Sequence, residues 1–461
     1  MNELVRLTAS RAAQMIAARE LGSLEYCDAL IARCEDARDL NAIVDYDWDR
    51  LRADAQEADR APGGRLSGVP IIFKANIDTV ELTTSACTGA LRNFVAGRNA
   101  AVAQALFDEG ALLGGKANMH ELAFGITNNN PVTGPARNPH DSAMIPGGSS
   151  GGVAAAVAAF LMPVGIGTDT GASVRLPAAL CGCVGFRPTV GRYKNSGIIP
   201  ISHTRDTAGP IARSVEDAAL IDSVLTGEFS AKPGRPRPVR IGIPRAYFFA
   251  DLDSELAAVV EQALARIAAA GIELVEADIP DIARLNAAVS APIARFEFVR
   301  DLDSYLKEHD LDLDLHDILE GVGSLDVRRV LTDELGSDAT LEATYIRALT
   351  QDRPKLQQAY SDYFTENRLD AAIFPTAPLP ARPIGHDETV ELCGQAVSTF
   401  ETYIRNTDPA SNAGIPALSL PVGMTKSGLP VGLEIDGAAG SDRRLLRVAR
   451  TLEAAFEMAQ S

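Results

Sequence analysis

Two glycine-rich loops, each carrying serine, hold the densest set of chemically capable residues in this chain. The first covers residues 146–152, Pro-Gly-Gly-Ser-Ser-Gly-Gly, and the second covers residues 167–177, Gly-Thr-Asp-Thr-Gly-Ala-Ser-Val-Arg-Leu-Pro. Glycine serves where the backbone approaches another group closely or takes a positive φ, and α/β proteins build sites in loops at strand ends. A tight turn would explain either loop alone. Their pairing around one predicted helix and one predicted strand favours a site that contains serine.

A lysine at the end of an apolar run supplies a candidate base for such a serine. Lys74 follows residues 69–73, Val-Pro-Ile-Ile-Phe, so the sequence predicts its amine inside a sheet. An amine with the reference pKa of about 10.4 is neutral at pH 7 in only about one molecule in a few thousand. Burial lowers a lysine pKa by up to about 3–5 units, and a neutral lysine can then take a proton from a serine hydroxyl. A lysine that extends to solvent from a strand end is the alternative.

Residues 147–151 also match the G-x-S-x-G nucleophile elbow of α/β-hydrolases. That motif follows a strand and needs an acid and then a histidine further along the chain. Residues 127–141, rich in Asn, Pro and Gly, predict a loop before the motif instead. Of the histidines that follow, only His203 lies in a loop-like segment near the serine loops. We therefore do not favour a triad through His203, and mutation of His203 is the discriminating test.

Two further patterns lack part of the chemistry that they would need. Residues 110–117 nearly spell a phosphate-binding loop, but Ala117 stands where a Ser or Thr must hold Mg²⁺. Cys181 and Cys183 form a C-x-C pair, and no second Cys or His pair stands at a zinc-like spacing. Six cysteines in 461 residues are too few for a disulfide scaffold. They are predicted to be small buried side chains in a reducing compartment.

The composition of the whole chain limits its class and its partners. Of 461 residues, 46% are hydrophobic and 23% are charged, which is typical of a globular protein. A formal net charge of −18 argues against nucleic acid and anionic membranes as partners, because phosphate neutralisation needs excess Lys and Arg. Residues 1–20 predict an amphipathic helix without a signal-peptide core, and no apolar window is long enough for a membrane span. We therefore expect a cytoplasmic protein.

Short apolar runs alternate with helical periodicity from residue 69 onwards. This alternation predicts an α/β fold with a central sheet covered by helices on both faces. The predicted strands are residues 69–73, 111–113, 163–166, 184–186, 239–243, 272–276, 371–374 and 431–435. The predicted helices are residues 9–20, 24–38, 47–60, 100–109, 150–160, 214–225, 256–269 and 442–459. Residues 228–238, rich in Pro and basic side chains, predict a surface linker, and residues 282–367 predict an acidic, mostly helical insertion.

Three segments together resemble the amidase signature family of Ser–Ser–Lys hydrolases. They are Lys-Ala-Asn-Ile-Asp at residues 74–78, Gly-Gly-Ser-Ser-Gly-Gly at residues 147–152, and Gly-Thr-Asp-Thr-Gly-Ala-Ser-Val-Arg at residues 167–175. Their order and spacing match the family, and similarity continues through residues 185–191 and more weakly to the C-terminus. The resemblance implies a single compact α/β domain over residues 1–461 around a large mixed, mostly parallel sheet. Its expected parts are N-terminal helices (1–66), a catalytic core (67–227) and a C-terminal part with the insertion (239–461).

The resemblance also implies roles for individual residues. Ser173 would be the nucleophile, Ser149 the serine that passes protons, and Lys74 the base, with a cis peptide bond between Gly148 and Ser149. The oxyanion would be bound by backbone N–H groups of Thr170, Gly171, Ala172 and Ser173. The supporting residues would be Ser150, Asp169 and Arg175, the last two as an ion pair or as ordinary loop residues.

Ala172 departs from the family pattern, in which most members carry a second glycine immediately before the nucleophile. If this position needs a positive φ, the alanine is strained by about 1 kcal/mol or more. If it does not, the extra methyl group narrows the acyl pocket. We expect the rest of that pocket to come from the insertion and from the loop after Pro375.

Residues 197–210 and 430–444 resemble the arylacetamide-cleaving branch of the family, which includes indoleacetamide and mandelamide hydrolases. This resemblance implies an amidase that converts a small aromatic primary amide into a carboxylate and ammonia through a Ser acyl-enzyme. The alternatives are an amidotransferase A-subunit-like glutamine amidase, an ester or carbamate hydrolase, and a catalytically dead binding protein. The resemblance implies no metal or organic cofactor. It implies a small-molecule amide as the partner, and a homodimer is the candidate assembly.

Overall fold

The computed structural model describes residues 2–228 and 239–457. Except for residue 228, the expected linker over residues 228–238 therefore lies outside the described residues. Within them the strands are β1 (Ile43–Asp45), β2 (Pro70–Lys74), β3 (Leu112–Ala117), β4 (Val164–Asp169), β5 (Val184–Arg187), β6 (Thr207–Ala212), β7 (Arg240–Ile243), β8 (Glu273–Glu276), β9 (Ala371–Pro375), β10 (Thr389–Leu392), β11 (Gln395–Ser398), β12 (Ala417–Met424) and β13 (Pro430–Asp436). The α-helices are α1 (Ala9–Ala17), α2 (Ser23–Asp36), α3 (Trp48–Arg60), α4 (Ala101–Asp108), α5 (Gly151–Ala158), α6 (Arg175–Cys181), α7 (Val215–Thr226), α8 (Arg245–Phe248), α9 (Ser254–Ala269), α10 (Ile282–Ala287), α11 (Ser290–Glu308), α12 (Leu315–Gly321), α13 (Leu325–Leu335), α14 (Glu342–Arg347), α15 (Arg353–Glu366), α16 (Thr399–Ile404), α17 (Asp408–Ala413) and α18 (Asp442–Glu457).

An 11-stranded sheet forms the centre of the fold, in the order β1-β3-β2-β4-β6-β5-β12-β13-β9-β7-β8. Every residue of β2, β4, β5, β6, β9 and β13 is buried. Strands covered on both faces carry continuous rather than alternating apolar residues, which is the pattern that the sequence showed. The prediction of a single compact α/β fold around a large mixed sheet is confirmed.

The expectation that this sheet is mostly parallel is wrong. Parallel pairs occur only at its flanks, in β3-β2-β4 and β9-β7-β8, while the pairs between β4 and β9 and the pair β1-β3 are antiparallel. Alternating strands and helices predict parallel neighbours, because a crossover helix returns the chain in the same direction. No helix intervenes in residues 188–206, between β5 and β6, or in residues 425–429, between β12 and β13, so these neighbours run antiparallel.

The two serine-bearing loops lead into two short helices that pack against each other, α5 and α6. α5 is rich in glycine and alanine and is buried over residues 151–157. A Cβ atom at Gly152 would lie 2.4 Å from the carbonyl oxygen of Asn118, so only glycine permits this approach. The small side chains thus let the first loop lie against β3 and β4, where the second loop begins.

One large apolar cluster joins the N-terminal, central and C-terminal parts of the chain. It includes Val5 before α1, Phe73 in β2, Phe186 in β5, Leu433 in β13 and Phe456 in α18. All of these side chains are buried. Since burial of apolar area is the main favourable contribution to folding, a core shared in this way requires the three parts to fold together.

Within the described residues the predicted helices and strands are present, with ends that shift by up to four residues, and the insertion is helical from α10 to α15. The predicted end of the last helix, residues 458–459, lies outside the described residues. The strands that the sequence did not predict are β1, β6, β10, β11 and β12. β1 has only three residues, too few for a periodic signal. β6 contains Gly209 and Pro210, residues that ordinarily mark the end of a strand.

Among the described helices, none combines the length and the apolar character that crossing a membrane requires. The six cysteines are free thiols, and all except Cys393 are buried. The prediction of buried cysteine side chains therefore holds for five of the six.

Candidate active site

Lys74 is the last residue of β2, and its side chain is completely buried. Its Nζ lies 2.7 Å from Ser149 Oγ and 2.8 Å from Thr168 Oγ1, and it donates to the Thr168 carbonyl oxygen at 3.3 Å. Thr168 lies on β4, the parallel neighbour of β2. The hydrogen-bond partners of this amine are therefore uncharged, and a lysine extending to solvent is excluded.

Burial is the main influence on this amine and lowers the pKa of Lys74 to about 7, against the opposing effect of Asp169 and Asp206. With that pKa, about half of the molecules carry a neutral amine at pH 7. The contacts suit the neutral form. Its two N–H groups can donate to the two oxygens of Thr168, while its lone pair faces the hydroxyl of Ser149.

Ser149 lies in the loop that leads into α5, and its side chain is completely buried. The Gly148–Ser149 peptide bond is cis, as the resemblance implied. The neighbouring Ser150 binds the second loop, since its N–H donates to the Ser173 carbonyl at 3.1 Å. Ser150 Oγ donates to the Thr168 carbonyl at 3.3 Å, so both loops and Lys74 meet at Thr168.

Residues 170–173, which we call the nucleophile loop, connect β4 to α6. The backbone N–H groups of this loop donate to no acceptor among the residues that the structure describes. Ser173 is buried but retains 6% exposure, whereas Ser149 and Lys74 have none. Free N–H groups beside a serine hydroxyl are the donors that an oxyanion needs.

Ala172 does not have a positive φ, so its methyl group introduces no left-handed strain. The side chain packs in a buried apolar cluster with Ile126 and Tyr403, against which Ile404 also packs. The possibility of left-handed strain is therefore excluded, and the narrower acyl pocket stays a prediction. At Gly171 a Cβ atom would lie 2.7 Å from Ile404 Cδ1, so the Ile404 side chain would have to move to admit a side chain there.

Asp169 and Arg175 form a buried ion pair across the two ends of the nucleophile loop. Arg175 Nε and Nη2 each donate to a carboxylate oxygen of Asp169 at 3.0 Å. Arg187 also pairs with Asp169, at 3.1 Å. Burial alone would raise the pKa of Asp169, but the two guanidinium groups hold it well below its usual range. The ion-pair alternative is thus the observed one, and its role in bracing the loop stays a prediction.

A second carboxylate, on β13, completes this charge network. Arg175 Nη1 donates to Glu434 Oε1. The side chains of Asp169, Arg175, Glu434 and Asp436 are all fully buried. Burial raises the pKa of Glu434 to about 7 and raises the pKa of Asp436 above its usual value. Arg175 and Arg187 thus share one buried network with the carboxyl groups of Asp169 and Glu434, and Asp436 acts on this network through its charge.

The predicted site residues all lie in this one region: Lys74, Ser149, Ser150, Asp169, Thr170, Gly171, Ala172, Ser173 and Arg175. Sequence reasoning missed three polar residues beside them. Thr168 binds Lys74, Asn76 Nδ2 donates to Thr168 Oγ1 at 3.2 Å, and Asp206 accepts from the hydroxyl of Thr170. Thr168 and Asn76 lie inside the matched segments, so their position could have indicated them. No local sequence pattern indicates that Asp206 contacts Thr170.

His203 does not serve the first serine loop. Its Nδ1 contacts Asp301 at 3.0 Å and Arg300 at 2.8 Å, and the described residues 118–150 contain no strand before the serines. His203, Asp301 and Glu297 lie close enough together to share a metal ion. The guanidinium of Arg300 and several hydrogen-bond donors already occupy their ligand atoms, so we assign no metal to them.

Lys116, in the near match to a phosphate-binding loop, lies on β3 with its side chain completely buried. Its amine donates to the carbonyl oxygen of Ile77 and to Thr84 Oγ1. These bonds direct the amine into the protein and away from any phosphate, so the phosphate-loop interpretation fails.

The sequence profile of the family described as Amidase matches residues 25–446 of the chain. An indoleacetamide hydrolase of Agrobacterium vitis is 49% identical over 445 residues, which cover 95% of this chain and 94% of that protein. A mandelamide hydrolase of Pseudomonas putida is 40% identical over 473 residues, which cover 98% of this chain and 91% of that protein.

Solved structures show the same similarity in three dimensions. The crystal structure of an amidase superposes with a TM-score of 0.87 at 32% identity, covering 98% of this chain and 100% of the other. The match includes the N-terminal helices, the sheet and the helical insertion, so the similarity extends over the whole fold.

Proposed function

The chain belongs to the amidase signature family, and on that premise we propose that it hydrolyses an arylacetamide-type primary amide to a carboxylate and ammonia. Ser173 is the nucleophile, Ser149 transfers protons, and Lys74 is the base. One observation carries this proposal: the amine of Lys74 is completely buried, lies 2.7 Å from Ser149 Oγ and bonds only to uncharged groups.

The first half of the reaction forms an acyl-enzyme. Neutral Lys74 takes the proton of Ser149 while Ser149 takes that of Ser173, whose oxygen attacks the amide carbonyl carbon. The resulting oxyanion binds to backbone N–H groups of the nucleophile loop. The relay then runs in reverse and protonates the departing nitrogen, so that the C–N bond breaks and ammonia leaves.

The second half regenerates the enzyme with water. Water loses a proton to the same relay and attacks the ester carbonyl of the acyl-enzyme. The carboxylic acid product leaves as the proton returns to Ser173, and it then gives its own proton to ammonia in solution, which yields a carboxylate and an ammonium ion. Every proton taken up in one step is released in another, so no cofactor is needed for the balance.

The choice of substrate depends on the relatives and on the apolar groups near Ser173. Relatives at 49% and 40% identity are indoleacetamide and mandelamide hydrolases, whose names give an aromatic acyl group. Ala172, Ile126 and Ile404 lie in one apolar cluster beside the nucleophile. Apolar surroundings of this kind favour an aromatic ring, because the free energy falls when the ring leaves water.

Ammonia release across a panel of amides tests the reaction and its substrate. The panel contains indoleacetamide, mandelamide, benzamide, short aliphatic amides and glutamine. We expect kcat/KM to be highest for the arylacetamides. Turnover confined to peptide-like or long aliphatic amides, or to glutamine, would overturn the substrate assignment.

A pair of lysine variants tests the base. K74M should lower kcat/KM by about 10²–10⁴-fold, the usual contribution of general base catalysis. Lys116 is the matched control, because it is also buried, with a pKa lowered to about 7, and lies on the adjacent strand. Folded K116M should retain most of the activity. A fluorophosphonate adduct at Ser173 identifies the nucleophile, and an unlabelled Ser173 in active protein contradicts the proposal.

A further inference from the structure

Asp206 is a buried carboxylate that contacts the nucleophile loop from outside the three signature segments, residues 74–78, 147–152 and 167–175. Its Oδ1 accepts from Thr170 Oγ1 at 2.5 Å. Its Oδ2 accepts from the N–H groups of Ile201 at 2.8 Å and Ser202 at 2.9 Å. Both carboxylate oxygens are therefore engaged, and among the described residues the side chain that bonds to them is that of Thr170, the first residue of the loop.

The position of Asp206 is set by the central sheet. It immediately precedes β6, whose first residue, Thr207, pairs with Asp169 at the end of β4. Thr170 and Asp206 are thus the first residues beyond the end of this antiparallel ladder. Their side-chain hydrogen bond continues the pairing by one step after the backbone pairing has ended.

The other parts of the nucleophile loop have different supports. Arg175 Nη2 donates to the Gly171 carbonyl at 2.9 Å, and the Ser173 carbonyl accepts from Ser150. Thr170 is bound through its hydroxyl to Asp206. Because the N–H groups of the loop must point at one oxygen, a shift of about 1 Å at its first residue is enough to cost about 10²-fold in rate.

Residues 201–206 also connect the nucleophile loop to the helical insertion. Glu297, on α11, is completely buried and accepts from the hydroxyls of Ser202 and Thr204. Its other oxygen accepts from the hydroxyl of Tyr345 at 2.7 Å. Asp206 binds the backbone of Ser202, so a continuous set of hydrogen bonds runs from α11 to Thr170.

We propose that Asp206 is a positioning residue that holds the nucleophile loop, through Thr170, in the shape that binds the oxyanion. This inference rests on the proposed amidase mechanism and adds a residue to it. Asp206 touches no reacting atom, and its effect passes through the hydroxyl of Thr170.

The charges around Asp206 give the proposal a second readout. The groups that face it are Thr170 and the backbone of residues 201–202, with Lys74 from β2 and Asp301 from α11 acting through charge. Glu297 lies beyond Ser202. Burial is the main cause that raises the pKa of Asp206, to about 6. Its negative charge in turn raises the pKa of Lys74, so removing that charge should move the acid limb of activity to lower pH.

Variants of both partners test the proposal with an arylacetamide substrate. D206N and T170V should each lower kcat by about 10²-fold with KM within about threefold, because an oxyanion contact is made only in the transition state. The double variant should be no slower than the slower single variant, because both substitutions disturb the same contact between residues 170 and 206. T170S, which keeps the hydroxyl, should recover most of the rate, and D206N should shift the acid limb downwards.

Wild-type kcat in T170V, or a double variant whose loss is the product of the two single losses, would overturn the proposal. If D206N does not fold, as judged by circular dichroism, T170V and T170S decide the question. Failure of the amidase assignment looks different, because the wild-type protein itself would then release no ammonia from the panel.

Discussion

At the residue scale, two buried lysines, one of them the proposed base, differ in their contacts and not in their burial. Lys74 and Lys116 lie on adjacent strands, and burial lowers the pKa of each to about 7. Both amines can therefore be neutral near physiological pH. Only Lys74 faces a serine hydroxyl, whereas Lys116 donates to a backbone carbonyl and to Thr84. The sheet supplies the low dielectric, and the residue opposite the amine decides its chemistry.

The pH dependence of activity follows from Lys74. Because burial lowers its pKa, the amine is protonated and inactive as a base below about pH 7 and neutral above it. We expect kcat/KM for a neutral amide to fall about tenfold per pH unit below that value and to level off above it. The measurement is kcat/KM between pH 5 and 9. A rate that still climbs steeply at pH 9 would indicate a lysine with an ordinary pKa and contradict the assignment.

At the element scale, a single arginine at the start of α6 connects the segments around the nucleophile. Arg175 bonds to Asp169 on β4, Glu434 on β13, and Thr407 and Ser411 at α17. These elements come from distant parts of the chain. Because a guanidinium has five donors in a fixed plane, it can satisfy several acceptors at once, which the single ammonium of lysine cannot.

R175K should therefore be strongly destabilising despite its retained charge. It removes donors from the buried carboxylates of Asp169, which keeps Arg187, and of Glu434, and breaking a buried pair costs about 3–5 kcal/mol. The measurement is the free energy of unfolding from urea titration. R52K is the matched control, because Arg52 pairs with Asp28 at an exposed site, where a pair contributes about 0–1 kcal/mol. Equal losses of unfolding free energy in R175K and R52K would show that the buried network contributes no more to stability than an exposed ion pair.

At the scale of the whole molecule, the sheet and one apolar core make the chain a single structural unit. The core cluster takes residues from before α1, from the central strands and from α18. The start of α1 is also held by Asp217 on α7, whose carboxylate accepts hydrogen bonds from the N–H groups of Ala9 and Ser10. An N-terminal segment held in this way cannot unfold without exposing apolar surface of the central sheet.

We therefore predict one cooperative unfolding transition for the full chain. Trp48, the one tryptophan in the sequence, begins α3 in the N-terminal part, so its fluorescence reports that part. Far-UV circular dichroism reports all helices. The two signals should give the same urea midpoint, which is the test for two-state behaviour. An earlier fluorescence transition would show that residues 1–66 unfold separately.

Local residue types and spacing were enough to predict much of this protein. The segments around Lys74, Ser149 and Ser173 carry the family signature. Each segment is short and continuous in sequence, so a local pattern was enough to recognise it. Periodicity predicted the α/β class and most elements, since burial on one or both faces leaves a repeating apolar pattern. The amidase family assignment followed from these features, and the comparisons established it.

Strand direction and distant partners were decided only by the tertiary structure. The antiparallel centre of the sheet depends on how connections cross it, which a local pattern does not record. Likewise, Asp206 reaches Thr170, and Glu434 reaches Arg175, across long stretches of sequence. Such contacts form because buried polar groups must find partners wherever the folded backbone places them. The sequence thus determined which chemistry is available, and folding decided which side chains hold it in position.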